Sequence, residues 1–140
     1  MTDTRERFID AATGAFAERG FYGTSIAAIV DALPFTKQAL LHHFGSKEKL
    51  YAEVLKRISD AFMDEVETVG KRYDDPRERL EETFIQVYRT SRERPDETRL
   101  LLRELLDNHP RAETVRTWYL KPFLEHLVNL VRAASGGRVD

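Results

Sequence analysis

An all-α fold is predicted by three observations. Every long segment repeats its apolar residues at steps of three and four, and no run alternates apolar with polar residues. Helix-stopping and helix-capping residues (Gly20, Ser25, Pro34, Thr36, Gly45, Ser46, Asp75, Pro76) fall at the ends of those segments. The 140 residues are 41% hydrophobic and 33% charged, apolar enough for one core and charged enough to solvate the outer helix faces.

The first helix is expected over Thr4 to Arg19, where Phe8, Ile9, Ala12, Ala15 and Phe16 make one apolar stripe. Asp3 stands at its cap and Gly20 just past its end. Thr24-Ser25 opens a short second helix with Ile26, Ile29, Val30 and Leu33 inward, and Pro34 ends it. Thr36 caps a third, Lys37 to about Phe44, buried through Leu40 and Phe44. Gly45 breaks it, and Ser46 caps a long fourth helix carrying Leu50, Tyr51, Val54, Leu55, Ile58, Phe62, Val66 and Val69 to about Tyr73. Asp75 as cap and Pro76 as first residue start the fifth, whose apolar residues are Leu80, Phe84, Val87 and Tyr88. Asp96 caps a sixth through Leu100, Leu105 and Leu106, ending near Pro110. A seventh contains Val115, Trp118, Tyr119, Phe123, Leu127 and Val131, is kinked by Pro122, and frays at Gly136-Gly137.

Composition narrows the chemistry. With no Cys, disulfide scaffolds, thiolate metal sites and cysteine nucleophiles are excluded. No apolar run approaches the roughly 18 residues of a membrane span, and the polar Met1–Arg7 segment is unlike a signal peptide, so a cytoplasmic protein is expected. Net charge is −2, but it is unevenly spread: residues 1–57 hold 8 Lys/Arg against 7 Asp/Glu, and residues 58–140 hold 14 against 17. Between Phe35 and Lys49 three Lys face one Glu, with His42 and His43 added.

That local positive charge coincides with the second and third helices, separated only by Leu33-Pro34-Phe35. A turn this short is the length found in DNA-binding helix-turn-helix units, where the first turn of the second helix reads base edges in the major groove. Here that turn offers Thr36, Lys37 and Gln38. Gln can pair bidentately with adenine, Lys reaches guanine acceptors or phosphate, and Thr serves either role.

The stretch Phe8 to Leu55, with Ala-Phe-Ala-Glu-Arg-Gly-Phe-Tyr-Gly-Thr-Ser-Ile and then Thr-Lys-Gln-Ala-Leu-Leu-His-His-Phe-Gly-Ser-Lys-Glu-Lys-Leu, resembles the N-terminal domain of the tetracycline-repressor (TetR) family. The resemblance implies a three-helix DNA-binding head over residues 1–47 and a helical ligand-binding and dimerisation domain over 48–140. It also implies a transcription regulator, a repressor in most of the family, that binds an inverted-repeat operator as a homodimer and is released by a small effector. Carried over residue by residue, Thr24 matches the family's cap of the second helix and Ser25 a phosphate-touching neighbour. Lys37 matches the recognition-helix Lys, His43 and Phe44 the His-Phe that ends that helix, and Lys47 a phosphate-clamping Lys at the start of the fourth. With Thr36, Gln38, Leu41 and His42 facing the groove, the DNA-binding set is Thr24, Ser25, Thr36, Lys37, Gln38, Leu41, His42, His43 and Lys47.

The sequence departs from the family pattern at four points. Leu33 and Pro34 stand where the turn usually has Ala and Gly, so the turn needs a geometry without a left-handed residue. Gln38 replaces a common Gly and adds a long side chain in the groove. Leu41 replaces a frequent Tyr, exchanging a phosphate contact for an apolar surface that suits a thymine methyl. Members of the family also continue past this length, so the second domain is expected to lack the family's last helices.

Tyr88, Trp118, Tyr119 and His126 are candidate lining for an effector pocket, which would favour an apolar molecule; an aromatic stripe at helical spacing serves equally well as core. The adjacent His42 and His43 point about 100° apart and have no ligand four residues away, so no metal and no cofactor are expected. No nucleophile–base pair and no Gly-rich phosphate loop is present, and an enzyme is not expected. The competing reading is a helical ligand- or protein-binding module whose head no longer reads DNA, motivated by Pro34, the near-neutral head and the missing helices.

Overall fold

The computed structural model describes residues 3–106 and 121–137. Among the described residues there are seven α-helices: α1 Thr4–Arg19, α2 Ile26–Asp31, α3 Lys37–Phe44, α4 Lys47–Arg72, α5 Pro76–Glu93, α6 Pro95–Leu106 and α7 Lys121–Ala134. None is long and apolar enough to cross a membrane. Of the expected seventh helix, Val115, Trp118 and Tyr119 lie outside the described residues.

The capping chemistry read from the sequence sets most boundaries. The hydroxyls of Ser25, Thr36 and Ser46 each accept the backbone N–H three residues on, from Ala28, Ala39 and Lys49, all at 3.1 Å. The Asp75 carboxylate does the same for Glu78, with Pro76 as the first helical residue. Two expected caps are exceptions: Asp3 occupies the cap of α1 but makes no side-chain bond there, and Asp96 lies inside the first turn of α6, which begins at Pro95. Gly20 and Gly45 close α1 and α3 at φ 80 and 89, a conformation that side chains with a Cβ adopt at a cost.

One buried cluster runs through the molecule, from Phe8, Phe16 and Phe21 past Leu40, Leu50 and Tyr51 to Phe62, Leu100 and Phe123. It passes without a break through the expected domain boundary at Lys47, because α4 carries its stripe for 26 residues and α6 packs directly on α1. Arg103 of α6 donates to the Glu18 carbonyl at the end of α1. At the far end Arg94 pairs with Glu65 and Glu97, and the Thr90 hydroxyl donates to Glu65, tying the α5–α6 corner to α4.

Helix α5 corrects an expectation. Phe84 and Tyr88 are 63% and 60% exposed, while Thr83 and Thr90 are buried. The face turned to α4 is the one bearing the threonines, and their hydroxyls are satisfied locally or across the helix pair: Thr83 donates to the Arg79 carbonyl at 2.7 Å and Thr90 to Glu65.

Candidate nucleic-acid interface

The turn between α2 and α3 is built without a left-handed residue, as its Pro requires; among the described residues only glycines have positive φ. Ala32 ends α2 at φ −88 and ψ 2, and the Leu33 N–H donates to the Val30 carbonyl at 2.9 Å. Phe35 then lays its ring against the buried Phe8 (centroids 5.2 Å apart), and Thr36 begins α3. Leu40 and Phe44 are buried as expected. Gln38 and His42, one turn apart, lie opposite that face and are exposed, as are Thr36, Lys37 and His43. Leu41 is half-buried against the core and offers only part of its side chain outward. His43 stands on the flank, its ring 5.6 Å from that of Phe8.

Two expected positions serve the fold in ways the sequence did not indicate. Thr24 is not the cap of α2: it is buried, its hydroxyl lies 2.8 Å from the Gly20 carbonyl and 3.1 Å from that of Ala15, and the neighbouring Ser25 caps instead. The cap must point its oxygen at the new helix's N–H groups, and Thr24 points back at α1. Lys47, at the first position of α4, donates to the carbonyls of Phe21 (2.8 Å) and Thr24 (3.0 Å) and sits 4.2 Å from the Phe21 ring centroid. Two of its three N–H donors thus bind the α1–α2 loop. Lys47→Ala is expected to cost about 1.5–3 kcal/mol of stability, the range for hydrogen bonds from a charged donor, and so to lower the thermal midpoint before any DNA is added. An unchanged melt would mean that these two bonds contribute nothing to the loop's position.

Away from the head, an apolar cavity of about 200 Å³ lies between α4, α5, α6 and α7, lined among others by Phe62, Thr83, Phe84, Leu101, Leu105 and Phe123. Neither Tyr88 nor His126 lines it, and Trp118 and Tyr119 lie outside the described residues. Tyr88 points away into solvent, and His126 belongs to a separate groove with Glu67, Lys71, Arg79 and Asn129. The lining that is present was legible in the sequence only as core, since Leu and Phe at helical spacing do not reveal where a bundle leaves a gap. Among the described residues no group of three or more His, Cys, Asp or Glu is placed to hold a metal ion.

Comparison with known proteins places the head. Residues 8–54 match the profile of bacterial regulatory proteins of the tetR family. The chain is 39% identical over 56 residues to the HTH-type transcriptional repressor KstR2 of Rhodococcus jostii, a match covering 40% of this chain and 28% of that protein. It is 36% identical over 59 residues to the HTH-type transcriptional regulator RutR of Escherichia coli, covering 42% of this chain and 28% of the relative. These matches therefore span less than a third of the relatives' length. The fold is shared more widely: a TetR-family transcriptional regulator from Bordetella parapertussis superimposes with a TM-score of 0.80 at 18% identity, over 99% of this chain and 72% of that one. The capped α2–turn–α3 unit lies inside the residues that match the tetR-family model, and the remaining helices follow the architecture of the structural neighbour.

Proposed function

We propose that the chain is a sequence-specific DNA-binding regulator, a repressor released by a small apolar effector. Residues 1–47 form the reading head and residues 48–140 the regulatory and dimerising part. The observation that carries this reading is the exposed first turn of α3, Thr36, Lys37 and Gln38, presented on a helix whose opposite face, Leu40 and Phe44, is locked into the core. A rigid helix with free polar side chains at its N-terminal end is what base readout in the major groove requires. Ser25, His43 and the remaining donor of Lys47 flank it as backbone-positioning groups, with Leu41 and His42 on the groove side. The regulatory part rests on the cavity: its walls offer almost no polar atoms, so it suits an uncharged molecule of few polar groups, on the scale of a single ring or a short acyl chain.

Selection from a randomised duplex library at two salt concentrations tests the reading. A homodimer is expected to enrich an inverted repeat, with half-sites about one helical turn apart. A single half-site would mean that the head reads DNA without the dimer, and no enrichment at either salt would overturn DNA reading by this chain. Repeating the selection with Gln38→Ala is expected to change the preferred bases inside each half-site, a difference of about 1–3 kcal/mol at that position. Retention of the parental sequence would remove Gln38 from base reading.

A further inference from the structure

We propose that Arg7 is an additional DNA-backbone contact, held beside the start of the recognition helix by the ring of Phe35; this rests on the DNA-reading function proposed above. Arg7 lies in the first turn of α1, far from α3 in sequence, and its guanidinium carbon sits 5.1 Å from the Phe35 ring centroid. Phe35 is itself fixed, half-buried against the fully buried Phe8. It directly precedes Thr36, the cap of α3, so Arg7 stands next to the end of α3 that carries Lys37 and Gln38.

The pairing of the neighbouring arginines singles Arg7 out. Arg5 is bonded to Glu53 at 3.1 Å and lies over Phe44, and Arg57 is bonded to Asp10 at 2.8 Å. Arg7 is exposed and has no carboxylate partner among the described residues. A guanidinium resting on an aromatic face keeps its in-plane N–H donors directed outward, and the contact restrains a side chain that would otherwise lose much rotamer freedom on binding. Two parallel N–H donors match a phosphate's oxygens, and the positive charge remains uncompensated until a phosphate arrives. The Leu33-Pro34-Phe35 turn, where the sequence leaves the family pattern, thereby supplies the shelf for a phosphate-directed cation. An arginine that merely covers the Phe35 ring would affect stability but leave the electrostatics of DNA binding alone. Salt dependence separates the two roles.

The affinity of the 140-residue chain for a random-sequence duplex and for the duplex recovered by selection would be measured across a salt series, alongside Arg7→Ala, Arg7→Gln and Arg7→Lys, with thermal melts of each. Arg7→Ala and Arg7→Gln are expected to flatten the slope of log affinity against log salt by about 0.9 and to weaken both duplexes alike, with melts near the parental one. Arg7→Lys is expected to keep the slope while losing part of the affinity, since the charge stays and the planar stacked donor pair goes. A parental slope in both neutral variants would overturn the proposal and leave Arg7 as a cover for Phe35. If the unmodified chain bound neither duplex in a salt-dependent way, DNA reading itself would fall, a result distinct from failure at Arg7 alone.

Discussion

Phe8→Ala is expected to cost about 3–5 kcal/mol, the usual range for emptying a fully buried Phe site. Phe8 has no exposed surface, and its ring meets Phe35 (5.2 Å), His43 (5.6 Å) and Phe44 (6.3 Å). Phe35 stands just before α3 and Phe44 ends it, so one side chain of α1 supports both ends of the eight-residue helix proposed to read DNA. A helix of that length has almost no stability of its own and depends on such packing. Against a total stability of roughly 5–15 kcal/mol, the loss is large enough to lower the thermal midpoint by about 10 °C. Duplex binding is expected to fall further than stability alone dictates, because α3 loses its fixed orientation. Phe8→Leu refills most of the volume and is expected to lie in between. Melting by circular dichroism checks the first effect; a shift below about 2 °C for the Ala variant would mean that the head is held elsewhere.

The elements of the head were legible because their signals are local. A Ser or Thr three residues ahead of the N–H it accepts, a Gly that takes positive φ after Arg19 or Phe44, and Leu40 and Phe44 four apart on one face all act within a turn of helix. What the sequence concealed depends on neighbours distant along the chain. Lys47 finds its carbonyls 26 and 23 residues away. Arg7 meets a ring 28 positions on, and nothing in Arg-Glu-Arg distinguishes it from Arg5, which meets a carboxylate instead. The same holds on α5, where pattern favours Phe84 and Tyr88 as the inner face and the side turned to α4 carries Thr83 and Thr90. Threonine can be buried in a helix because its hydroxyl bonds the carbonyl one turn back, so its burial leaves no signature in a hydrophobic pattern. The cavity walls follow from how four helices meet, which no single stripe encodes.

Glu104 is the least legible of these residues, and removing its partner tests what it does. It lies in the run Leu100-Leu101-Leu102-Arg103-Glu104-Leu105, which reads as an amphipathic helix with charges outward, yet it is fully buried. The Tyr51 hydroxyl of α4 donates to its Oε2. The Tyr51 ring in turn packs edge-on against Phe16 (4.9 Å) and Phe21 (5.0 Å), and Phe21 supports Lys47. Leu101, one turn before Glu104 on α6, and the adjacent Leu105 line the apolar cavity. A buried carboxylate that loses a hydrogen-bond donor cannot recover the bond from water, so Tyr51→Phe, which preserves the ring contacts, is expected to cost about 1.5–3 kcal/mol. That corresponds to a fall of roughly 5–9 °C in thermal midpoint. Glu104→Gln keeps an acceptor for the tyrosine and is expected to cost less than Tyr51→Phe. In a double-mutant cycle of Tyr51→Phe with Glu104→Leu, which leaves no acceptor, the two changes should be non-additive by about 1 kcal/mol or more, because each removes the same bond. Additive losses would mean that Glu104 is held by its other surroundings and that Tyr51 contributes only its ring. Non-additivity would establish this hydrogen bond as a direct energetic link between the wall of the cavity and the aromatic cluster beneath the α1–α2 loop.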